Sequence, residues 1–230
     1  MRLLLAIELS QRSGSVALGS LDGGEPTVGT FPVGGAHHDD GLMPSIDRLV
    51  RDAGATPGDL GAVAVSVGPG GFTGLRVATT TAKLLAEVLA IPCVAIPSSL
   101  VIAARSTSTA PKLVALAAKR DTCWLTKVRG TGAHCDVDGE PGIVAASAFE
   151  PGAAHELFAD EHAPPALIDR ARAAGLAIHP LEPSARECWL LGALRVSRRE
   201  TCDPLHLAPL YPREPEAVTL WRERHGDRPA

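Results

Sequence analysis

The stretch "GAVAVSVGPGGFTGLRVATTTAKLLAEVLA", residues 61–90, limits the folds open to this chain more than any other. An apolar run of small and β-branched residues, Gly61–Gly68, reads as a buried strand. It runs through a glycine-rich turn straight into the clearest helix of the sequence, Thr73–Leu89. A strand followed by a tight turn and a helix belongs to a parallel α/β layer, and a glycine turn at a helix start can present bare N–H groups to an anion.

The flanking segments extend that layer. Leu3–Ile7 reads as a buried strand, Gly14–Ser20 as its hairpin partner and Glu25–Phe31 as a third, weaker strand. After "GGAHHDD", the segment "GLMPSIDRLVRDAG" places Leu42, Ile46, Leu49, Val50 and Ala53 on one helical stripe, with Pro44 in the first turn and Gly54 at the stop. "IPCVAI" is a further strand, and "PSSLVIAARS" a helix with Ser98 or Ser99 near its cap. The expected fold class is therefore α/β, a mixed sheet with an antiparallel edge and a parallel centre.

Small polar residues and a proline between Arg105 and Lys112 mark a boundary. Three parts are expected: an N-terminal lobe over 1–108, a smaller α/β lobe over 109–205 and an extended tail over 206–230. In the second lobe "KLVALAAK", "TCWLTKVRG" and "PALID" read as strands and "TGAHCDVDGEPG" as a loop or hairpin tip. "PSARECWLLGALRVS" reads as a helix with Leu190, Leu191 and Leu194 on its apolar side. The tail should drape over the surface, with a short helix between Pro215 and Arg224.

Composition narrows the function classes. Aromatic residues make up 3% of the 230 residues and the formal net charge is −4, so neither stacking rings nor a basic face is available for gripping nucleic acid alone. The five cysteines are scattered without a C-x-x-C pair, which offers no zinc site or disulfide framework. The N-terminal apolar run is too short for a signal peptide and no stretch approaches a membrane span, so a cytoplasmic protein without membrane contact is expected.

The glycine loop fits neither standard phosphate scheme. Gly74 is followed by Leu75 and Arg76 where a Walker loop needs lysine and a hydroxyl, and Thr73 stands where the dinucleotide fingerprint needs its third glycine. Two readings stay open. One is a tight turn with Phe72 plugged into the core and Thr73 as helix cap; the other is a vestigial phosphate loop of Glu8, Ser10, Gly68, Gly70 and Gly71. The helix beyond carries two stripes. Leu75, Ala78, Ala82, Leu85, Ala86 and Leu89 form one, and Val77, Thr81, Leu84 and Val88 the other, which predicts burial on two sides.

Other chemistry-bearing residues form no constellation. His37, His38, Asp39 and Asp40 are adjacent rather than spaced for one metal ion, and Leu42 stands where an i, i+4 histidine would be. Glu8 could hold magnesium beside a phosphate, but no lysine or second carboxylate accompanies it. Ser10, Ser13 and Ser15 have no base beside them, and His134, Cys135 and Asp136 share a loop by chance.

Four stretches, "LAIELS", "HDDGLMPSIDRLV", "AVAVSVGPGGFTGLRVATTTAKLLA" and "IPCVAIPSSL", resemble in order and spacing the TsaB (YeaZ) family of bacterial tRNA threonylcarbamoyladenosine biosynthesis proteins. The resemblance covers about the first hundred residues, with G-P-G-x-F-T-G-L-R and the downstream A-K as its specific core. It departs at Glu8, where the family usually carries Asp, and at Ala117–Trp124, where an Asp-Ala-Arg-x-x-Glu-Val-Tyr-like stretch often stands. The resemblance implies the two-lobed actin/sugar-kinase/Hsp70-like (RNase H-like) fold. It implies a non-catalytic scaffold that partners a TsaD catalytic subunit and a TsaE ATPase, reaches tRNA only through that complex and forms a homodimer when alone. No cofactor of its own is implied; ATP or ADP and magnesium would belong to the complex. The implied interface comprises Leu42, Met43, Ile46, Leu49 and Val50 on one helix, with Thr73, Leu75, Arg76, Val77, Thr80, Thr81 and Leu84 on the next. The alternative is an autonomous ATP-dependent phosphotransferase of the same fold with Glu8 on magnesium; a peptidase, an activity once attached to relatives, lacks a nucleophile–base or metal pair.

Overall fold

A computed structural model describes residues 2–32 and 41–212, together with Val218, Trp221, Arg222, Arg224 and Gly226. The expectations for His37–Asp40 lie outside the described residues, as does most of the tail helix.

The first sheet has five strands: β1 (Leu3–Glu8), β2 (Ser13–Ser20), β3 (Thr27–Pro32), β4 (Leu60–Gly68) and β5 (Cys93–Pro97). Their order is β3-β2-β1-β4-β5, with β1, β4 and β5 parallel and the β1–β2–β3 meander antiparallel. β1 and β4 are buried along their whole length, which is why they read as unbroken apolar runs. Alternation divides them between two cores. Leu3, Leu5, Ile7, Val63 and Val65 face helices α1 (Leu42–Asp52) and α2 (Phe72–Leu89). Leu4, Ala6, Ala62 and Ala64 face α3 (Ser98–Ala103) and α5 (Ala185–Ser197) on the other side.

The second sheet repeats this plan. Its strands are β6 (Lys112–Lys119), β7 (Thr122–Arg129), β8 (Asp136–Val137), β9 (Gly142–Ala145), β10 (Glu156–Phe158) and β11 (Ala177–His179). The order β11-β10-β6-β7-β8, with β9 also on β7, makes a parallel trio and an antiparallel hairpin in the same arrangement as the first sheet. Helix α4 (Pro165–Ala173) crosses from β10 to β11 as α2 crosses from β4 to β5. The two sheets thus share one topology, the duplicated plan expected of the actin/sugar-kinase/Hsp70-like fold. The segment "PALID", expected as a strand, is the first half of α4. Pro165 sits at its first position, a helix-start signal that a five-residue apolar run obscures.

Helix α5 follows the second sheet in sequence but packs on the first. Trp189 Nε1 donates to the Leu4 carbonyl at 3.0 Å, and Gly192 lies so close to Ala64 that a Cβ would come within 2.5 Å of the Ala64 methyl. Its buried face is Ala185, Cys188, Trp189, Leu191 and Gly192, while Leu190 and Leu194 are only half-buried. The apolar core around α3 and α5 also takes in Val114, Leu116, Val128 and Phe158 of the second sheet, so the two sheets meet across these helices.

The chain then returns to the first lobe. Cys202 pairs with Cys93 in an isolated antiparallel bridge, Leu207 enters the core beneath α2, and the Leu210 N–H donates to the Val67 carbonyl at 2.7 Å.

Candidate functional site

The glycine loop is closed against the end of the first strand. Gly68 takes a left-handed φ of +109° ahead of a cis Gly68–Pro69 bond. The Gly71 N–H donates to the Ser10 carbonyl at 2.8 Å, so this amide is directed at the protein's own backbone. A Cβ on Gly70 would collide with the Ser10 carbonyl and one on Gly74 with the Leu9 carbonyl. The glycines thus permit close approach of the loop and helix to the β1–β2 turn, and the returning segment at Leu210 covers Gly68 from the other side. Gly71, not Thr73, occupies the cap position of α2, without a side-chain cap bond. Phe72 is half exposed and no core plug, because the helix's first turn faces outward here.

Beneath the loop lies a buried polar cluster. Glu8 and Ser10 are both fully buried; Glu8 Oε1 accepts the Ser10 N–H at 2.6 Å, while Glu8 Oε2 and the Ser10 hydroxyl have no hydrogen-bond partner. The Ser66 hydroxyl, near the end of β4, and the Ser98 hydroxyl, at the start of α3, bond each other at 2.7 Å. Cys188 of α5 lies near the carboxyl group. Burial raises the Glu8 pKa above its ordinary value, outweighing the opposing influence of the nearby Ser10 and Ser66, and burial likewise pushes the Cys188 thiol up. Among the described residues no lysine or arginine pairs with Glu8, and the site stores a carboxyl group more readily protonated than an exposed one. That is poor provision for a divalent cation, which needs an ionised, accessible oxygen set.

The i, i+4 spacing of a histidine pair counted from His38 ends on Leu42. Leu42, at the second position such a pair would need, is an apolar residue of the core. Among the described residues no three His, Cys, Asp or Glu side chains cluster to hold a metal ion.

The candidate interface residues separate into two groups. Leu42, Ile46, Leu49, Val50 and Leu75 are almost fully buried within the chain's own core, so they cannot line an exposed contact surface. Their helical stripe reports sheet packing, the commoner reason for amphipathicity. Met43 is exposed on α1, and Thr73, Arg76, Val77, Thr80 and Leu84 are exposed on α2, with Thr81 half-buried at the edge.

This outer face of α2 is apolar for nearly its whole length. Phe72 is 50% exposed, Val77 44%, Leu84 58% and Val88 79%. Thr73, Val77, Thr80, Leu84 and Val88 repeat at spacings of four, three, four and four, one continuous stripe on a helix of 18 residues. At its N-terminal end the Arg76 guanidinium lies 3.8 Å over the Phe72 ring, and Tyr211 packs beside that ring at 5.2 Å between centroids. Phe72 and Tyr211 were not among the expected interface residues. Phe72 is hidden in the sequence by its neighbouring glycines, and Tyr211 reaches the face only through the fold.

An open cleft runs from the β1–β2 turn to the second sheet. One hollow of about 530 Å³ is lined by Arg12, Arg105, Glu161, His162 and Glu182; a neighbouring one of about 300 Å³ is lined by Ser106, Glu156, Phe158 and His179. Arg12 pairs with Glu161 at 3.2 Å across its mouth, and Arg105 with Glu182 at 2.9 Å. No helix among the described residues is long and apolar enough to cross a membrane.

A family model described as TsaD, tRNA N6-adenosine threonylcarbamoyltransferase, matches residues 28–158. An uncharacterized Mycobacterium tuberculosis protein is 31% identical over 190 residues, 80% of this chain and 78% of its own length. The Bacillus subtilis tRNA threonylcarbamoyladenosine biosynthesis protein TsaB is 40% identical over 62 residues, 27% of either chain. The structure of YeaZ from Pseudomonas aeruginosa superposes with a TM-score of 0.74 at 21% identity, covering 92% of this chain and all of that one.

Proposed function

The chain belongs to the family described as TsaD, tRNA N6-adenosine threonylcarbamoyltransferase, and from that premise and its likeness to TsaB (YeaZ) proteins we propose that it is a TsaB-type, non-catalytic scaffolding subunit of tRNA threonylcarbamoyladenosine biosynthesis. Its outer α2 face docks a TsaD-like catalytic subunit. The observation that carries this reading is the exposed apolar stripe of Phe72, Val77, Leu84 and Val88. Full burial of one such side chain is worth about 1.5–3 kcal/mol, so completing the burial of four half-covered ones contributes about 4 kcal/mol, roughly a thousandfold in Kd. Met43, Arg76 and Thr81 rim the stripe, and Thr73 and Thr80 stand within it as polar contacts.

Glu8 and the closed loop support a scaffold rather than a nucleotide-processing role, because the loop's glycines are engaged with Leu9 and Ser10. ATP or ADP with magnesium then belongs to the assembled complex and a TsaE-like ATPase, and tRNA is met through the catalytic subunit. Without its partner, the same stripe pairs with a second copy.

Co-purification with the TsaD-like subunit tests the reading, using Val77→Asp and Leu84→Asp, both at exposed positions. Loss of the complex with an intact fold is expected. Unchanged binding by the doubly substituted chain overturns it.

A further inference from the structure

We propose that Cys93 and Cys202 form a redox pair whose disulfide staples the C-terminal segment to the first lobe. Their sulfurs are 3.2 Å apart, across an isolated antiparallel bridge in which the Cys202 N–H donates to the Cys93 carbonyl at 2.9 Å. Antiparallel partners sit about 4.5–5.5 Å apart at Cα, inside the roughly 4.4–6.8 Å window of natural disulfides. The backbone is therefore already placed, and each thiol is directed at the other residue: Cys93 Sγ lies 3.3 Å from the Cys202 carbonyl, and Cys202 Sγ 3.5 Å from the Cys93 carbonyl.

The two thiols differ in access. Cys93 is fully enclosed at the start of β5, whereas Cys202 is half-buried. Burial and the neighbouring thiol push Cys93 up to about 12, so Cys202 is the sulfur that meets an oxidant first. With a small disulfide such as glutathione disulfide, the Cys202 thiolate attacks one sulfur and releases one thiol after proton uptake. Cys93 then gives up its proton and attacks Cys202 Sγ, forming the Cys93–Cys202 bond and releasing the second thiol. Two protein thiols are oxidised and one glutathione disulfide is reduced to two glutathione molecules.

The position of the pair determines what the bond would do. Residues 94–201, the whole second lobe included, lie between the two cysteines, and residues 203–211 run on from the second one. That exit segment carries the Leu205 carbonyl bonded to Lys83 Nζ, buried Leu207, and Tyr211 on Arg76, all against α2. Oxidation would hold it on α2 through openings of the second lobe.

The test exposes the native full chain to a glutathione disulfide and glutathione buffer and counts thiols by alkylation and mass. Loss of two of the five thiols with a 93–202 linked peptide is expected. Oxidised chain should also release the segment after Cys202 to protease more slowly and unfold at a higher temperature than reduced chain. Cys202→Ser, at the less buried position, should keep all four remaining thiols and show neither shift. Five thiols retained at oxidising ratios, or glutathione left on Cys202 with Cys93 free, overturns the proposal.

Discussion

The hydroxyl of Tyr211 accepts a hydrogen bond from Nε of Arg76 at 3.1 Å, tying the C-terminal segment to the first turns of α2. The same arginine lies over Phe72, so three side chains from two distant parts of the chain form one cap at the end of the apolar stripe. An exposed cation–π contact and one ring pair are worth about 1 kcal/mol each. Tyr211→Ala should therefore weaken binding of the TsaD-like subunit about 5–10-fold while changing the chain's own stability by about 1 kcal/mol or less. Tyr211→Phe, which keeps the ring, should lose less. Titration calorimetry with the partner and denaturant unfolding of the free chain separate the two effects.

Glycine substitutions in the loop should divide sharply over a few positions. At Gly70 and Gly74 a Cβ meets a main-chain carbonyl, of Ser10 and Leu9, that cannot move without disturbing the β1–β2 turn. Gly70→Ala and Gly74→Ala should each cost about 3 kcal/mol or more. At Gly71 the nearest atom is 3.7 Å away and φ is −62°, so Gly71→Ala should stay within about 1 kcal/mol. Equal losses at all three would show that the loop is not pressed against Ser10. Urea midpoints of the purified variants decide it.

How much of this was legible depended on whether the signal was local. The strands around Glu8 and Gly68 and the helix from Thr73 could be read directly, because burial on both faces and helical spacing leave a contiguous trace. The stripe of Leu42, Ile46, Leu49 and Val50 was equally legible, but an amphipathic pattern is the same whether a sheet or a partner covers it. A ring beside glycines looks like a core plug, one of the two readings the sequence leaves open for the loop; only the fold shows Arg76 and Tyr211 flanking Phe72 in the open. The packing of α5 beneath the first sheet and the Cys93–Cys202 contact are pairings about a hundred residues or more apart, beyond any periodicity.

Lys112 is another such long-range tie. It is fully buried, and its Nζ donates to the carbonyls of Ser108 at 2.6 Å, Ala110 at 3.1 Å and Gly130 at 2.8 Å, joining the inter-lobe linker to the end of β7. Lys112→Met keeps much of the volume but leaves three carbonyls without their donor. A buried unsatisfied polar group costs about 1–3 kcal/mol, so a loss of about 3–5 kcal/mol is expected after partial relaxation. Lys112→Arg should not restore stability, since a planar guanidinium does not fit a site shaped for one nitrogen. Thermal unfolding of both variants measures this.

Glu8 gives the chain a pH-dependent weakness whose sign follows from its burial. Its folded pKa is raised above the ordinary 4.5, mainly by loss of solvent, so the folded state holds this proton more tightly than the unfolded state does. Its contribution is fully present below about pH 4.5 and is lost as pH rises from there through the raised folded value. Glu8→Gln keeps an oxygen to accept the Ser10 N–H and cannot ionise. The variant should unfold at nearly the wild-type temperature near pH 4, and its midpoint should exceed the wild-type one by a widening margin toward pH 8. A margin independent of pH would mean that Glu8 holds its proton equally in the folded and unfolded chain, and a margin that reverses as pH rises would mean that it is ionised and paired, which would reopen the question of a cation beneath the loop.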